Sequence, residues 1–141
     1  MVPDELKRII EELKTQGEMD FKEAASEKQI DDFDKKNKVK LPAQYREWLQ
    51  YSDGGELFLP AGVQFYGVGH KPLININDES KPDEKYIVIG ALANGDPILC
   101  EKDATTISIY NQEGGRIEED ERYKDFYTFL KDLYNMLGIG G

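Results

Sequence analysis

Side chains with intrinsic reactivity are few in this 141-residue chain: one histidine, one cysteine and a surplus of carboxylates. His70 stands in the segment GVGHKP, which reads as a loop. No second histidine or fixed-spacing carboxylate accompanies it to make a metal site, so a surface or turn position is expected. Cys100 has no second thiol with which to form a disulfide or a paired-cysteine zinc site. It closes the apolar run Pro97, Ile98, Leu99, Cys100, which predicts a buried thiol; a reactive one needs a cation or a helix N-terminus beside it.

The carboxylates gather at Asp78 and Glu79, at Asp83 and Glu84, and in the run Glu118, Glu119, Asp120, Glu121. Paired acids can cleave a glycoside or hold calcium, but the alternating ligands and bend glycine of a calcium loop are missing. A solvated acidic face is expected, with the last run also favouring the start of the helix that follows it. Nucleophile-elbow and phosphate-loop patterns are absent, and YGVGHK lacks the third glycine and the strand-to-helix setting of a dinucleotide fingerprint. The residues therefore predict no catalytic group, no metal and no cofactor.

The elements that would position these residues follow from periodicity. Leu6, Ile9, Ile10 and Leu13 line one face of a first helix, with Pro3 near its start and Gly17 just beyond its end. After a short polar link, Ser26 and Gln29 form a capping-box pattern, with Ala25 and Ile30 as its hydrophobic staple. The second helix runs to about Lys36 and buries Ile30 and Phe33. Pro42 holds Leu41 extended and lets a third helix begin at once. Tyr45, Trp48 and Leu49 face inward on that helix, Arg46, Glu47 and Gln50 face water, and Asp53, Gly54 and Gly55 end it.

Beyond this point the period changes to that of strands: 63–68, 73–76, 86–92, 97–101, 106–110 and 116–118 are short and rich in branched and aromatic residues. Asn94, Gly95 and Asp96 predict a hairpin tip, as do Glu113, Gly114 and Gly115. A last helix, about 123–137, carries Phe126, Phe129, Leu130, Leu133 and Leu137 as an apolar stripe. The expected fold is a single α+β domain over 1–141: a mostly antiparallel sheet with helices packed on one face, N-terminal helices and a C-terminal helix.

Bulk composition narrows the function classes. Twenty-eight acidic against 18 basic side chains leave a formal charge of −10, which repels phosphate backbones and anionic lipid heads and attracts a cationic protein. No apolar run is long enough to cross a bilayer, and MVPDELKRII lacks a basic segment followed by an apolar one, so a cytoplasmic location is expected.

The order Ser26, Ile30, Phe33, Leu41-Pro42, Tyr45, Trp48-Leu49 and then Gly54-Gly55 ahead of an apolar strand resembles the SUKH superfamily. That superfamily holds many bacterial immunity proteins and a yeast regulator of cell-wall synthesis. The NGD turn at 94–96 and the aromatic last helix agree with it, while Asp53 stands where members often carry asparagine. The resemblance implies a non-catalytic α+β domain that binds and blocks a toxin, often a nuclease; separately, a monomer or weak homodimer is expected. On that reading Asp78, Glu79, Asp96, Glu118, Glu119, Asp120 and Glu121, all expected on loops, are the candidate toxin contacts. Two other readings are a regulatory protein-interaction module with no toxin partner, and a small-ligand or hydrolytic site around Tyr66, His70 and Asp96.

Overall fold

The computed structural model describes residues 2–59, 62–70, 73–74, 85–101 and 104–136, and for 118–121 and 134–136 it describes the backbone. The elements run in the order α1 (Asp4–Lys14), β1 (Glu18–Asp20), α2 (Glu27–Asn37), α3 (Ala43–Tyr51), β2 (Gly55–Leu59), β3 (Val63–Phe65), β4 (Tyr86–Leu92), β5 (Pro97–Glu101), β6 (Ile107–Asn111), β7 (Arg116–Tyr123) and α4 (Phe126–Met136). The strands form one sheet in sequence order, every neighbouring pair antiparallel. This is the α+β arrangement that the mixed periodicity implies.

Strand alternation sorts the sheet's two faces. Val63, Phe65, Ile87, Ile98, Cys100, Ile107 and Ile109 point into the main core, where α1 contributes Leu6, Ile9, Ile10 and Leu13 and α4 contributes Phe126, Phe129, Leu130 and Leu133. The alternate residues Tyr86, Val88 and Leu99 make a smaller cluster with Tyr66, Tyr110 and Ile117 on the other face. Phe65 is the hub of the core. Its ring meets Trp48 at 5.4 Å, Phe126 at 5.3 Å, and Tyr45 and Phe129 at 6.2 Å, all edge to face, the geometry that aligns ring edges with the electron-rich faces.

Several local signals act as their chemistry requires. The Gln29 N–H donates to Ser26 Oγ at 3.1 Å and the Ser26 N–H to Gln29 Oε1 at 2.8 Å, closing the capping box. Leu41 is buried, Pro42 takes the N-cap of α3, and Gly54 and Gly55 adopt left-handed φ of 96° and 110° as the chain turns into β2. Gly95 and Gly115 sit at positive φ in the two expected hairpin turns.

Other expectations change. The polar link after α1 holds β1, whose EMD sequence has no strand signature; pairing with β2 supplies its hydrogen bonds. The acidic run lies within β7 rather than on a loop, where the register against β6 jumps between the Ser108–Arg122 and Tyr110–Ile117 pairs. The last helix starts at Phe126, not 123, because Asp125 caps it: the Thr128 N–H donates to Asp125 Oδ1 at 2.8 Å. Of the expected 73–76 strand, Leu73 makes an isolated parallel bridge to Gly67, and residues 75–76 lie outside the described residues.

Gly17 is required by packing rather than by a left-handed helix cap. A Cβ there would stand 2.6 Å from Cδ1 of Phe58. Phe58 has a φ of 59°, and the β1–β2 register slips at that point. The bulge lets the consecutive residues Leu57 and Phe58 both reach the core. Gly17→Ala is therefore expected to destabilise the protein by about 1–3 kcal/mol. On a Phe58→Ala background most of that loss should vanish, and equal losses in urea unfolding of both backgrounds would refute the contact as the cause.

Candidate functional site

Ser52, Asp53, Gly54 and Gly55 join α3 to β2, and a set of buried polar contacts gathers around them. The Trp48 indole Nε1–H donates to the Gly54 carbonyl at 3.0 Å, and Ser52 Oγ donates to the same oxygen at 2.9 Å while accepting the Lys22 N–H at 2.9 Å. The Tyr45 hydroxyl reaches the Tyr66 carbonyl at 2.5 Å and that of Ile89 at 3.2 Å. Burial pushes the Tyr45 phenol well above its ordinary range, with Cys100 and Asp53 adding to the effect, so it stays a neutral donor.

Asp53 is only 2% exposed. Its Oδ1 accepts the Val68 N–H at 2.7 Å, and its Oδ2 accepts those of Gly69 at 2.8 Å and His70 at 2.9 Å. Successive backbone donors thus wrap one carboxylate, the concave arrangement known as an anion nest. Gly67 makes the wrap possible, since a Cβ on it would fall 2.6 Å from both the Asp53 carbonyl oxygen and Oδ1. Beyond Phe65 the Tyr66 N–H still bonds the Ile89 carbonyl of β4 at 2.7 Å, and the N–H groups of Val68, Gly69 and His70 then turn to the Asp53 side chain, so the strand ends at this clasp although the apolar pattern continues to Val68.

The arrangement is structural rather than catalytic in kind. The Asp53 oxygens are occupied by backbone donors, and the His70 side chain is exposed in the loop, as its setting implied. A cavity of about 270 Å³ beside them is lined by Glu23, Ala24, Gln29, Asp53, Gly69 and His70. Asp96 does not join this group. β3 leads from Val63, opposite Leu92, away from the hairpin that holds Asp96, so Tyr66 and His70 lie toward the other end of the sheet. Among the described residues no group of three or more His, Cys, Asp and Glu side chains is placed to hold a metal ion. Cys100 is fully buried on β5, and burial pushes its thiol up to about 12, far from the thiolate a nucleophile needs.

The expected toxin contacts fare unevenly. Asp78 and Glu79 lie outside the described residues, and Glu118, Glu119, Asp120 and Glu121 are placed by backbone alone, on β7. Asp96 is half-buried and engaged. Its Oδ1 accepts the Gln112 N–H at 3.3 Å and its Oδ2 the Asn94 amide at 3.2 Å, bracing the β4–β5 turn against the β6–β7 turn.

Periodicity also placed Arg46 toward water, but its guanidinium pairs with Asp31 and Asp34 of α2. Burial raises the Asp34 carboxyl, Arg46 opposes that rise, and the neighbouring Asp31 adds to it. The spacing of Asp31 and Asp34 on one helical face was the available signal.

The described residues form a meandering sheet with helices packed on it, and their buried polar groups hold loops and helix ends. The chain belongs to the SMI1 / KNR4 family (SUKH-1), whose model matches residues 24–132, from the approach to α2 through most of α4. The family is generally non-catalytic and serves as an immunity or regulatory domain. Comparison with curated proteins found no match. Among the described residues no helix is long and apolar enough to cross a membrane.

Two outcomes test this description of the site. Asp53→Asn replaces one acceptor oxygen with a donor, so it should cost about 1–3 kcal/mol and speed amide exchange at Gly69 and His70; unchanged exchange would refute the clasp. Cys100 should resist thiol reagents in native buffer at neutral pH and react at once in denaturant, and rapid native labelling would contradict its burial.

Proposed function

We propose that this chain is a non-catalytic immunity protein that binds and neutralises a cognate bacterial toxin, a cationic nuclease, in the cytoplasm. The observation that carries the reading is the family match across residues 24–132. The formal charge of −10 supports it. A nuclease groove must be positive to hold phosphates, and an acidic surface complements that groove and accelerates encounter with it. In this reading the acidic residues of β7, Glu118, Glu119, Asp120 and Glu121, together with Asp78 and Glu79, carry the long-range attraction. Asp96 has a smaller part because its carboxylate already braces two turns.

The test begins with the toxin domain encoded beside this gene. Co-expression with the protein is expected to restore growth. Reversing Glu118, Glu119 and Glu121 to lysine should slow association by about tenfold or more at low ionic strength, with a smaller loss at high salt. The melting temperature should change little. An unaltered association rate would remove β7 from the interface. A neighbouring gene with no toxin domain, or a toxin that still kills in the presence of the protein, would instead favour a regulatory interaction module.

A further inference from the structure

Against its acidic background the chain carries one concentrated basic segment. Residues 35–40 read KKNKVK, and all four lysines are exposed. Lys35 and Lys36 occupy the last turn of α2, where the helix dipole favours cations. Lys38 and Lys40 lie beyond it and need another reason. Helical spacing would pair Asp31 with Lys35 and Asp34 with Lys38, but Arg46 of α3 takes both carboxylates. Among the described residues none of the four lysines has an ion-pair partner.

The backbone adds an independent observation. Lys38 ends α2 with φ 55° and ψ 45°, the left-handed conformation normally left to glycine or asparagine. A lysine there gives up stability that a glycine would supply, which points to a use for the side chain.

The segment also borders a groove. A cavity of about 260 Å³ is lined by Lys40, Leu41, Pro42, Ala43, Ala104 and Thr105. A second cavity of about 180 Å³ shares Pro42, Ala43 and Thr105 with it and is lined further by Gln44, Asp125 and Phe126. The Asp125 carboxylate is turned back to cap α4, so the groove floor is chiefly apolar and its cationic rim lies at the Lys40 end.

We infer that Lys35, Lys36, Lys38 and Lys40, with the Leu41–Thr105 groove, form a docking surface for an extended acidic segment of a partner protein, which sets an aliphatic side chain in the groove and its carboxylates on the lysines. Charge complementarity selects an anionic partner. The formal charge of −10 on the whole chain opposes a long polyanion such as nucleic acid but tolerates a short acidic peptide, whose charges stay within about a Debye length, roughly 8 Å, of the lysines. This surface is opposite in sign to the one assigned to the toxin, so the two can be occupied and tested separately.

Fluorescence anisotropy with a labelled peptide of glutamates around one central leucine tests the inference. Saturable binding is expected, weakening as salt rises. It should fall at least about tenfold in the Lys35→Gln, Lys36→Gln, Lys38→Gln, Lys40→Gln protein, and about tenfold when glycine replaces the peptide's leucine. Lys38→Gly separates recognition from folding: it should raise the melting temperature by relieving the backbone, yet weaken the peptide. Absence of saturable binding overturns the proposal, as does full affinity in the quadruple variant. A single-stranded oligonucleotide of matched charge that binds as tightly as the peptide overturns the assignment of a protein partner in favour of phosphate recognition.

Discussion

Two aromatic residues on α3 set the constraint on which the rest of the structure depends. Tyr45 and Trp48 bury whole rings at the centre of the core, and each ring carries one polar hydrogen that must find an acceptor there. The acceptors are the carbonyls of Gly54, Tyr66 and Ile89, so the two rings dictate where the α3–β2 junction, the end of β3 and the middle of β4 can lie. An unpaired donor at either site would cost about 1–3 kcal/mol, a large part of the stability of a small domain. The Leu41-Pro42 entry and the Gly54-Gly55 exit are close together because the helix between them must arrive and turn within the reach of these two hydrogens.

The same economy governs the charged residues near the core. Asp53 spends its oxygens on the Val68–His70 backbone, and Arg46 spends its guanidinium on Asp31 and Asp34, fixing α2 against α3. Both groups are thereby saturated by partners within the fold. Arg46 has a further effect: by drawing two aspartates away from helical neighbours, it leaves positive charge exposed on an otherwise negative protein. The exposed lysines stand at and just beyond the end of α2.

Helices α1 to α4 and the hairpins around Asn94-Gly95 and Gly114-Gly115 were legible in the sequence because their signals are local. Apolar residues at three- and four-residue spacing, a capping box three residues wide and glycines at tight turns declare themselves without knowledge of distant neighbours. Cys100 and His70 were likewise readable, one from its apolar run and the other from its loop. Family resemblance was carried by the same short-range pattern between Ser26 and Gly55.

Only tertiary structure decided the features that join distant segments. β1 exists because β2 offers it an edge, Phe58 enters a left-handed bulge because two consecutive side chains must both reach the core, and Asp53 becomes a clasp through donors 15 to 17 residues away. Arg46 turns from water because two aspartates of the preceding helix stand in its path. Periodicity reports which face of an element is apolar, but it carries no information about which polar group across the fold will need a partner, and here those needs settled the loops, the strand ends and the charge left on the surface.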